Sequence, residues 1–168
     1  FKDVSIAFSD TFMFHINGIQ ILSLISITNT ILVIILSSII ANFIKQRNNE
    51  IILYIGFLLF GIGYSILLLT LNIWILLIAV LIFTIGELLF VPIRQTILAD
   101  LINNDYRGAY MAFNGLVYQV GRMLGGAGII VGGIIGNVSM SLVYISFSLI
   151  AIFFTKGAIN LKRSEKNV

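Results

Sequence analysis

The sequence predicts an all-α fold, a polytopic transmembrane helical bundle, on three observations. Hydrophobic residues make up 59% of the 168 residues and charged residues only 10%, with a mean hydropathy of +1.08, whereas soluble domains carry about 25% charged residues. Five apolar segments each reach the length of about 20 residues that a bilayer-spanning helix needs. The alternating pattern of a transmembrane barrel is missing from the sequence, so internal backbone bonding in lipid predicts helices.

The five predicted spans form one bundle domain over residues 18–159. They are 18–44, 51–70, 73–101, 108–136 and 139–159, separated by short polar breaks. Lysine and arginine occur in the first and third breaks and in the basic tail, 160–168. Because such residues mark cytoplasmic loops, the C-terminus is predicted to be cytoplasmic in a multi-pass cell-membrane protein. Five spans then place residues 1–17 outside, as an extracytoplasmic segment, and predict a further helix before Phe1.

Composition excludes several function classes. The chain has no cysteine and one histidine, which excludes disulfides and thiolate metal sites and does not favour a histidine-rich one. The net charge of +3 is scattered between apolar spans, so it is interpreted as a topology signal and not as a nucleic-acid surface. The sequence shows no nucleophile–base constellation. We therefore expect neither an enzyme nor a cofactor.

Three charged residues inside the spans are the candidate proton-coupling or substrate residues. Glu87 is the midpoint of the third span and Arg122 the midpoint of the fourth, so both lie near the bilayer centre. Each such charge costs about 2.5–3.5 kcal/mol to insert and needs a partner or a wet cavity. Arg94 lies on the face of Glu87, about 10 Å nearer the cytoplasm.

Two interpretations of Glu87 stay open at this point. In the first, the carboxylate forms a structural ion pair with Arg122 or Arg94 that locks helices together. In the second, it is a protonation site, because burial disfavours a charged carboxylate while a nearby arginine favours it. Helix movement would then switch Glu87 between its protonated and its deprotonated form, as a proton-coupled carrier requires.

Other polar residues and glycines of the spans complete the candidate site. Polar residues on the fourth span at helical spacing predict a cavity lining, and the first span carries a milder version. The cavity-lining candidates are Asn114, Tyr118, Gln119, Gln20 and Asn29. Pro92 predicts a kink that would suit a gate. Glycines spaced by four predict close helix packing in the fourth span: Gly121, Gly125, Gly128, Gly132 and Gly136.

The stretch from residue 86 to 116 resembles a known family. It reads GELLFVPIRQTILADLINNDYRGAYMAFNGL and is similar to the tenth helix, the following cytoplasmic loop and the start of the eleventh helix in multidrug–proton antiporters of the major facilitator superfamily. The resemblance implies that the five spans are helices eight to twelve of a C-terminal half. It also implies that Glu87 matches the helix-ten acid and that Asp105 and Arg107 make gating or structural contacts in the loop.

Two functions follow as hypotheses. The first is part of a secondary active transporter, a proton-coupled exporter of amphipathic compounds that works by alternating access. Its expected partners are the lipid bilayer, the N-terminal half of the transporter, protons and a small amphipathic solute, with no nucleic acid. The alternative is a non-transporting membrane remnant of a truncated or split transporter gene.

Overall fold

The structure is a computed structural model that describes residues 4–9, 12–16, 18–45, 47–70, 72–101 and 107–166, with side chains at 18–45, 47–70, 72–99, 108–128 and 130–160. Its helices are α1 (Gly18–Ile44), α2 (Asn49–Leu69), α3 (Ile73–Leu101), α4 (Arg107–Ile135) and α5 (Asn137–Lys166). All five are long and apolar enough to cross a membrane. The predicted fold class is therefore confirmed, although α5 extends past the predicted end at residue 159.

A short hairpin precedes the bundle and was not predicted. Strand β1 (Val4–Ser9) pairs antiparallel with β2 (Phe12–Ile16), in a register that joins Val4 to Ile16. The register shifts between Ala7 and Ser9, close to the turn. Both strands are rich in β-branched and aromatic residues, which favour an extended backbone. The segment is too short to cross a bilayer as a helix.

Polar residues and one glycine set the helix ends. The side chain of Asn48 accepts a hydrogen bond from the Glu50 amide (3.0 Å) at the start of α2. Asn72 accepts in the same way from the Trp74 amide (3.0 Å) before α3. Such side chains satisfy amide groups that a helix start leaves unpaired. Between α4 and α5, Gly136 has φ +82°, a left-handed conformation that glycine adopts without steric cost.

The tightest packing joins α2 to α3 through glycines. A Cβ built on Gly63 would lie 2.6 Å from Phe83 Cβ, and one on Gly86 would lie 2.5 Å from the backbone nitrogen of Phe60. A Cβ on Gly56 would lie 2.8 Å from the backbone nitrogen of Phe90. Small residues allow helix backbones to approach this closely in membranes. The α2–α3 pair is therefore the packed centre of the bundle.

Helices α5 and α1 pack on opposite sides of this centre. On the α5 side, Ser148 donates to the Phe57 carbonyl (2.7 Å). The Ser65 hydroxyl lies 3.1 Å from the Ser141 carbonyl of α5 and 2.8 Å from the Gly61 carbonyl of its own helix. On the α1 side, Ile21 packs against Ile73 and Leu76 near the start of both helices. Because α1 and α3 are joined through one intervening helix, they run parallel.

Helix α4 lies at the edge of the bundle. Nearly all of its described side chains are exposed. Its contacts include Met140 at the start of α5, which lies beside Gly128 and Gly132, and Arg94 of α3, which bonds Asn114. The polar and the apolar sides of α4 are therefore both uncovered by the described residues.

Candidate functional site

Glu87 lines an open groove between α1 and α3. The groove has a volume of about 450 Å³. The α1 side contributes one stripe at helical spacing, and the α3 side contributes residues around Glu87. The lining residues are Val33, Ser37, Ala41, Ile44, Glu87, Leu88, Val91, Pro92 and Gln95. Glu87 is the only charged residue in this lining, so the groove is an apolar channel with one acid.

Contacts between α1 and α3 lie on both sides of Glu87 along the two helices. On one side, Asn29 of α1 and Thr84 of α3 lie 2.6 Å apart between Oδ1 and Oγ1. On the other side, Ile40 and Ile44 pack against a buried cluster that includes Ile93. Asn29 lies one helical turn before Val33, and Thr84 lies one turn before Glu87. Parallel helices thus bring the polar pair and the acid into one seam.

Pro92 supplies the groove with an unusual backbone oxygen. Helix α3 continues through Pro92, and proline has no N–H to donate to the carbonyl four residues earlier. That carbonyl belongs to Leu88, and both Leu88 and Pro92 line the groove. The carbonyl oxygen of Leu88, the residue after Glu87, therefore lacks its usual helical donor. Irregular backbone of this kind is tolerated in membranes where it lines a cavity.

The structure does not bring the three candidate charges together. Arg94 Nη2 donates to Asn114 Oδ1 of α4 (3.3 Å) and lines a different groove, between α2, α3 and α5. Arg122 is an exposed residue of α4. In the described part of the chain, neither arginine forms an ion pair with Glu87. The structural ion pair between Glu87 and either arginine is therefore not formed in this conformation.

The remaining cavity-lining candidates are dispersed. Asn114 is half-buried through its contact with Arg94, whereas Tyr118 and Gln119 are exposed on α4. Gln20 is exposed near the start of α1 and takes part in an interaction of its own. Asn29 does not belong to the groove lining, but it contacts Thr84, three residues before Glu87.

Two loop candidates fall at the edge of the described chain. Asp105 lies outside the described residues, and Arg107 is described only as the backbone start of α4. Their gating role stays a prediction.

The predicted packing glycines of α4 differ in their surroundings. A Cβ on Gly128 would lie 3.2 Å from Met140 Cε, and one on Gly132 would lie 3.5 Å from Met140 Cγ. A Cβ on Gly121, Gly125 or Gly136 would meet nothing within 4 Å. Close packing at these three positions stays a prediction that needs a partner beyond the described residues.

Sequence reasoning missed several residues that surround Glu87. Ser37 and Gln95 line its groove, and Thr84, three residues before it, contacts Asn29 of α1. Tyr64 of α2 lies within electrostatic range of Glu87, and its ring stacks on that of Tyr144 of α5 with 5.4 Å between the centroids. The position of Thr84, three residues before the acid, was a usable signal. The position of Tyr64 depends on how α2 packs and had no local signal.

Comparisons with known proteins identify the family of the chain. A family model described as Major Facilitator Superfamily matches residues 4–166. The chain is also 30% identical over 96 residues to a protein of Planococcus maritimus named "Na(+), Li(+), K(+)/H(+) antiporter". That alignment takes in 57% of this chain and 23% of the antiporter. The matched part therefore spans less than a quarter of that relative's length.

Proposed function

The chain belongs to the major facilitator superfamily, and from that premise we propose that it is the C-terminal half of a proton-coupled exporter of amphipathic cations. The observation that carries the proposal is Glu87, a lone carboxylate in an otherwise uncharged groove between two membrane-spanning helices. An acid at this depth is expensive to keep in a membrane, and such residues commonly mark ion or substrate paths.

The chemistry of exchange requires one site that holds either a proton or a cation. A protonated Glu87 is neutral and suits the apolar lining formed by residues such as Val33 and Val91. A deprotonated Glu87 attracts a cation whose apolar parts pack on the same lining. Release of the proton on one side of the membrane and of the cation on the other side would couple the two movements.

A second candidate substrate is an alkali cation, and two observations favour it. The similar protein of Planococcus maritimus carries sodium, lithium and potassium in its name. The groove also combines the Glu87 carboxylate with neutral oxygens: the Ser37 hydroxyl, the Gln95 amide and the Leu88 carbonyl that Pro92 leaves without a helical donor. Carboxylate and carbonyl oxygens are typical ligands of hard cations, and broken helices supply them in transporters.

The proposal includes a partner and an orientation. Most described side chains of α4 are exposed, so we infer that a further bundle, the N-terminal half, covers this helix in the whole transporter. The basic residues after the first helix and in the tail support a cytoplasmic C-terminus in the cell membrane. A reporter fused to the C-terminus and tested for cytoplasmic activity would check this orientation.

The test uses the full-length protein in proteoliposomes that contain a pH-sensitive dye. Ethidium, sodium and potassium are added in turn, and proton movement is recorded for the wild type, Glu87→Gln and Glu87→Asp. We expect a cation-driven proton flux that Glu87→Gln abolishes and Glu87→Asp partly retains, because glutamine can neither release a proton nor attract a cation. The control is Glu50→Gln, which removes a carboxylate in the first turn of α2.

The outcomes separate the hypotheses. A flux with ethidium alone supports the amphipathic substrate, and a flux with sodium or potassium alone supports the alkali cation. No flux with any of these cations in a well-folded full-length protein would support the non-transporting remnant. An unchanged flux in Glu87→Gln would assign the acid a structural role.

A further inference from the structure

Thr84 has two acceptors for one hydroxyl proton. Its Oγ1 lies 2.6 Å from Asn29 Oδ1 on α1 and 2.6 Å from the carbonyl oxygen of Val80 in its own helix. A hydroxyl donates only one hydrogen bond. With Oδ1 of Asn29 facing it, Thr84 donates either across to α1 or back to its own helix, at equal distance. With the Asn29 amide turned so that its nitrogen faces Thr84, the hydroxyl accepts from Asn29 while it donates to Val80. In both arrangements the Val80 carbonyl is available to the hydroxyl without α1.

This arrangement makes the contact between α1 and α3 reversible at low cost. Thr84 is fully buried at 0% exposure, and a buried hydroxyl without a partner is costly. If α1 moved away, the proton would turn to the Val80 carbonyl and remain bonded. The local bond to the carbonyl four residues earlier is common for threonine in helices. The hydroxyl is thus satisfied whether the helices are together or apart.

The position of the pair relates it to the acid. Thr84 precedes Glu87 by three residues on α3, which is about 4.5 Å along the helix axis. Asn29 precedes Val33, the first α1 residue of the groove lining, by four residues. The bond therefore holds α1 against α3 one turn from the carboxylate. Beyond it lie the groove residues of both helices, and Ile40 and Ile44 pack against the apolar cluster that includes Ile93.

We propose that Thr84 and Asn29 form a switchable latch that positions α1 against Glu87 and so sets the width of its groove. The proposal rests on the proposed function for its transport consequence, but the latch itself is a property of the two helices. Thr84 and Asn29 are positioning residues, because they act through the placement of α1 and not through contact with the reacting carboxylate. Closing the latch narrows the groove, and opening it lets a cation enter or leave.

The test measures helix separation directly in the full-length protein. The described chain has no cysteine, so paired spin labels can be attached through Ser38→Cys and Ala99→Cys, after any cysteine outside these 168 residues is replaced. Both positions are exposed and neither lines the groove. We expect Thr84→Val to broaden the label distance distribution toward longer values, and Thr84→Ser to keep the wild-type distribution. Asn29→Leu removes the same bond from the α1 side and should give the same label distance distribution as Thr84→Val.

A matched control removes a hydroxyl that makes only a local bond. Thr30 lies next to Asn29 on α1, and its hydroxyl donates to the Ser26 carbonyl of the same helix (2.9 Å). Thr30→Val should leave the label distances unchanged. An unchanged distribution in both Thr84→Val and Asn29→Leu would overturn the latch, as would a Thr84→Ser variant that behaves like Thr84→Val.

Transport kinetics give the second readout. Loss of one hydrogen bond between side chains should raise the apparent KM for ethidium or sodium about 2- to 10-fold. The double variant Thr84→Val/Asn29→Leu should be no worse than either single variant, because all three lose the same bond. Additive effects of the two substitutions would contradict the latch. If the distances respond while the wild type moves no cation, the proposed function fails and the latch stands.

Discussion

Substitution of Gly86 by alanine should weaken the contact between α2 and α3 by about 1–3 kcal/mol, the usual cost of inserting a methyl group into a packed interior. A Cβ on Gly86 would lie 2.5 Å from Phe60 N, 2.8 Å from Gly56 O and 3.0 Å from Phe60 Cα. All three atoms belong to the main chain, so no side-chain rotation relieves the clash. Ordinary Cβ contacts begin at 3.4 Å. The contact with Phe60 N is therefore 3.4 − 2.5 = 0.9 Å shorter than an ordinary Cβ contact, and α2 and α3 must move apart to accommodate the methyl group.

The assay is thermal unfolding of the purified full-length protein in detergent, followed as the fraction that remains monodisperse after heating. We expect the apparent Tm of Gly86→Ala to fall by several degrees. The matched control is Gly157→Ala on α5, where a Cβ meets nothing within 4 Å. That variant should keep or slightly raise the Tm, because alanine is favoured over glycine in a helix by about 1 kcal/mol.

Two results would refute this reasoning. If Gly86→Ala unfolded at the wild-type temperature, the close approach of α2 and α3 would not contribute to stability. If Gly157→Ala lost as much stability as Gly86→Ala, the effect would come from glycine replacement in general and not from the interface.

Further predictions concern the helix contacts of α5. Ser148→Ala should cost about 0.5–1 kcal/mol in the free energy of unfolding, since its hydroxyl bonds the Phe57 carbonyl across the interface (2.7 Å). The control Ser146→Ala loses only a bond within α5 and should not change the Tm. Equal losses of stability in the two variants would contradict the prediction. Gly136→Ala should lower the free energy of unfolding by about 1–2 kcal/mol, because the backbone φ at this position is +82°. In the control Gly133→Ala the added methyl group meets open space. A Gly136→Ala variant as stable as this control would refute the predicted backbone strain.

The candidate site was predicted from the sequence only in part. Glu87 stood out because an acid at the centre of an apolar span is costly wherever the helix packs. Its neighbours did not stand out, since Ser37 and Thr84 are ordinary residues of membrane helices until α1 is placed against α3. The expected role of Arg94 and Arg122 as partners of Glu87 was inferred from depth in the membrane. Depth fixes the position along a helix axis but not the direction in which a side chain extends.

The packing glycines illustrate the same limit. Spacing by four residues drew attention to α4, including Gly125, where the structure leaves the glycine face open. The closest approach lies instead at Gly56, Gly63 and Gly86, whose pattern in the sequence is less regular. Spacing shows that a helix has a smooth face, whereas close packing also requires a second helix with a complementary face.

The sequence by itself determined that the chain is an all-α bundle with five helices long and apolar enough to span a membrane. It could do so because the hydropathy of about 20 consecutive residues is a local property, and it decides whether a helix is stable in a bilayer. Only the tertiary structure decided which residues surround Glu87, that Arg94 bonds Asn114, and that Thr84 meets Asn29. Those contacts join residues far apart in the chain. They depend on the rotation and register of whole helices against their neighbours, which no local stretch of sequence encodes.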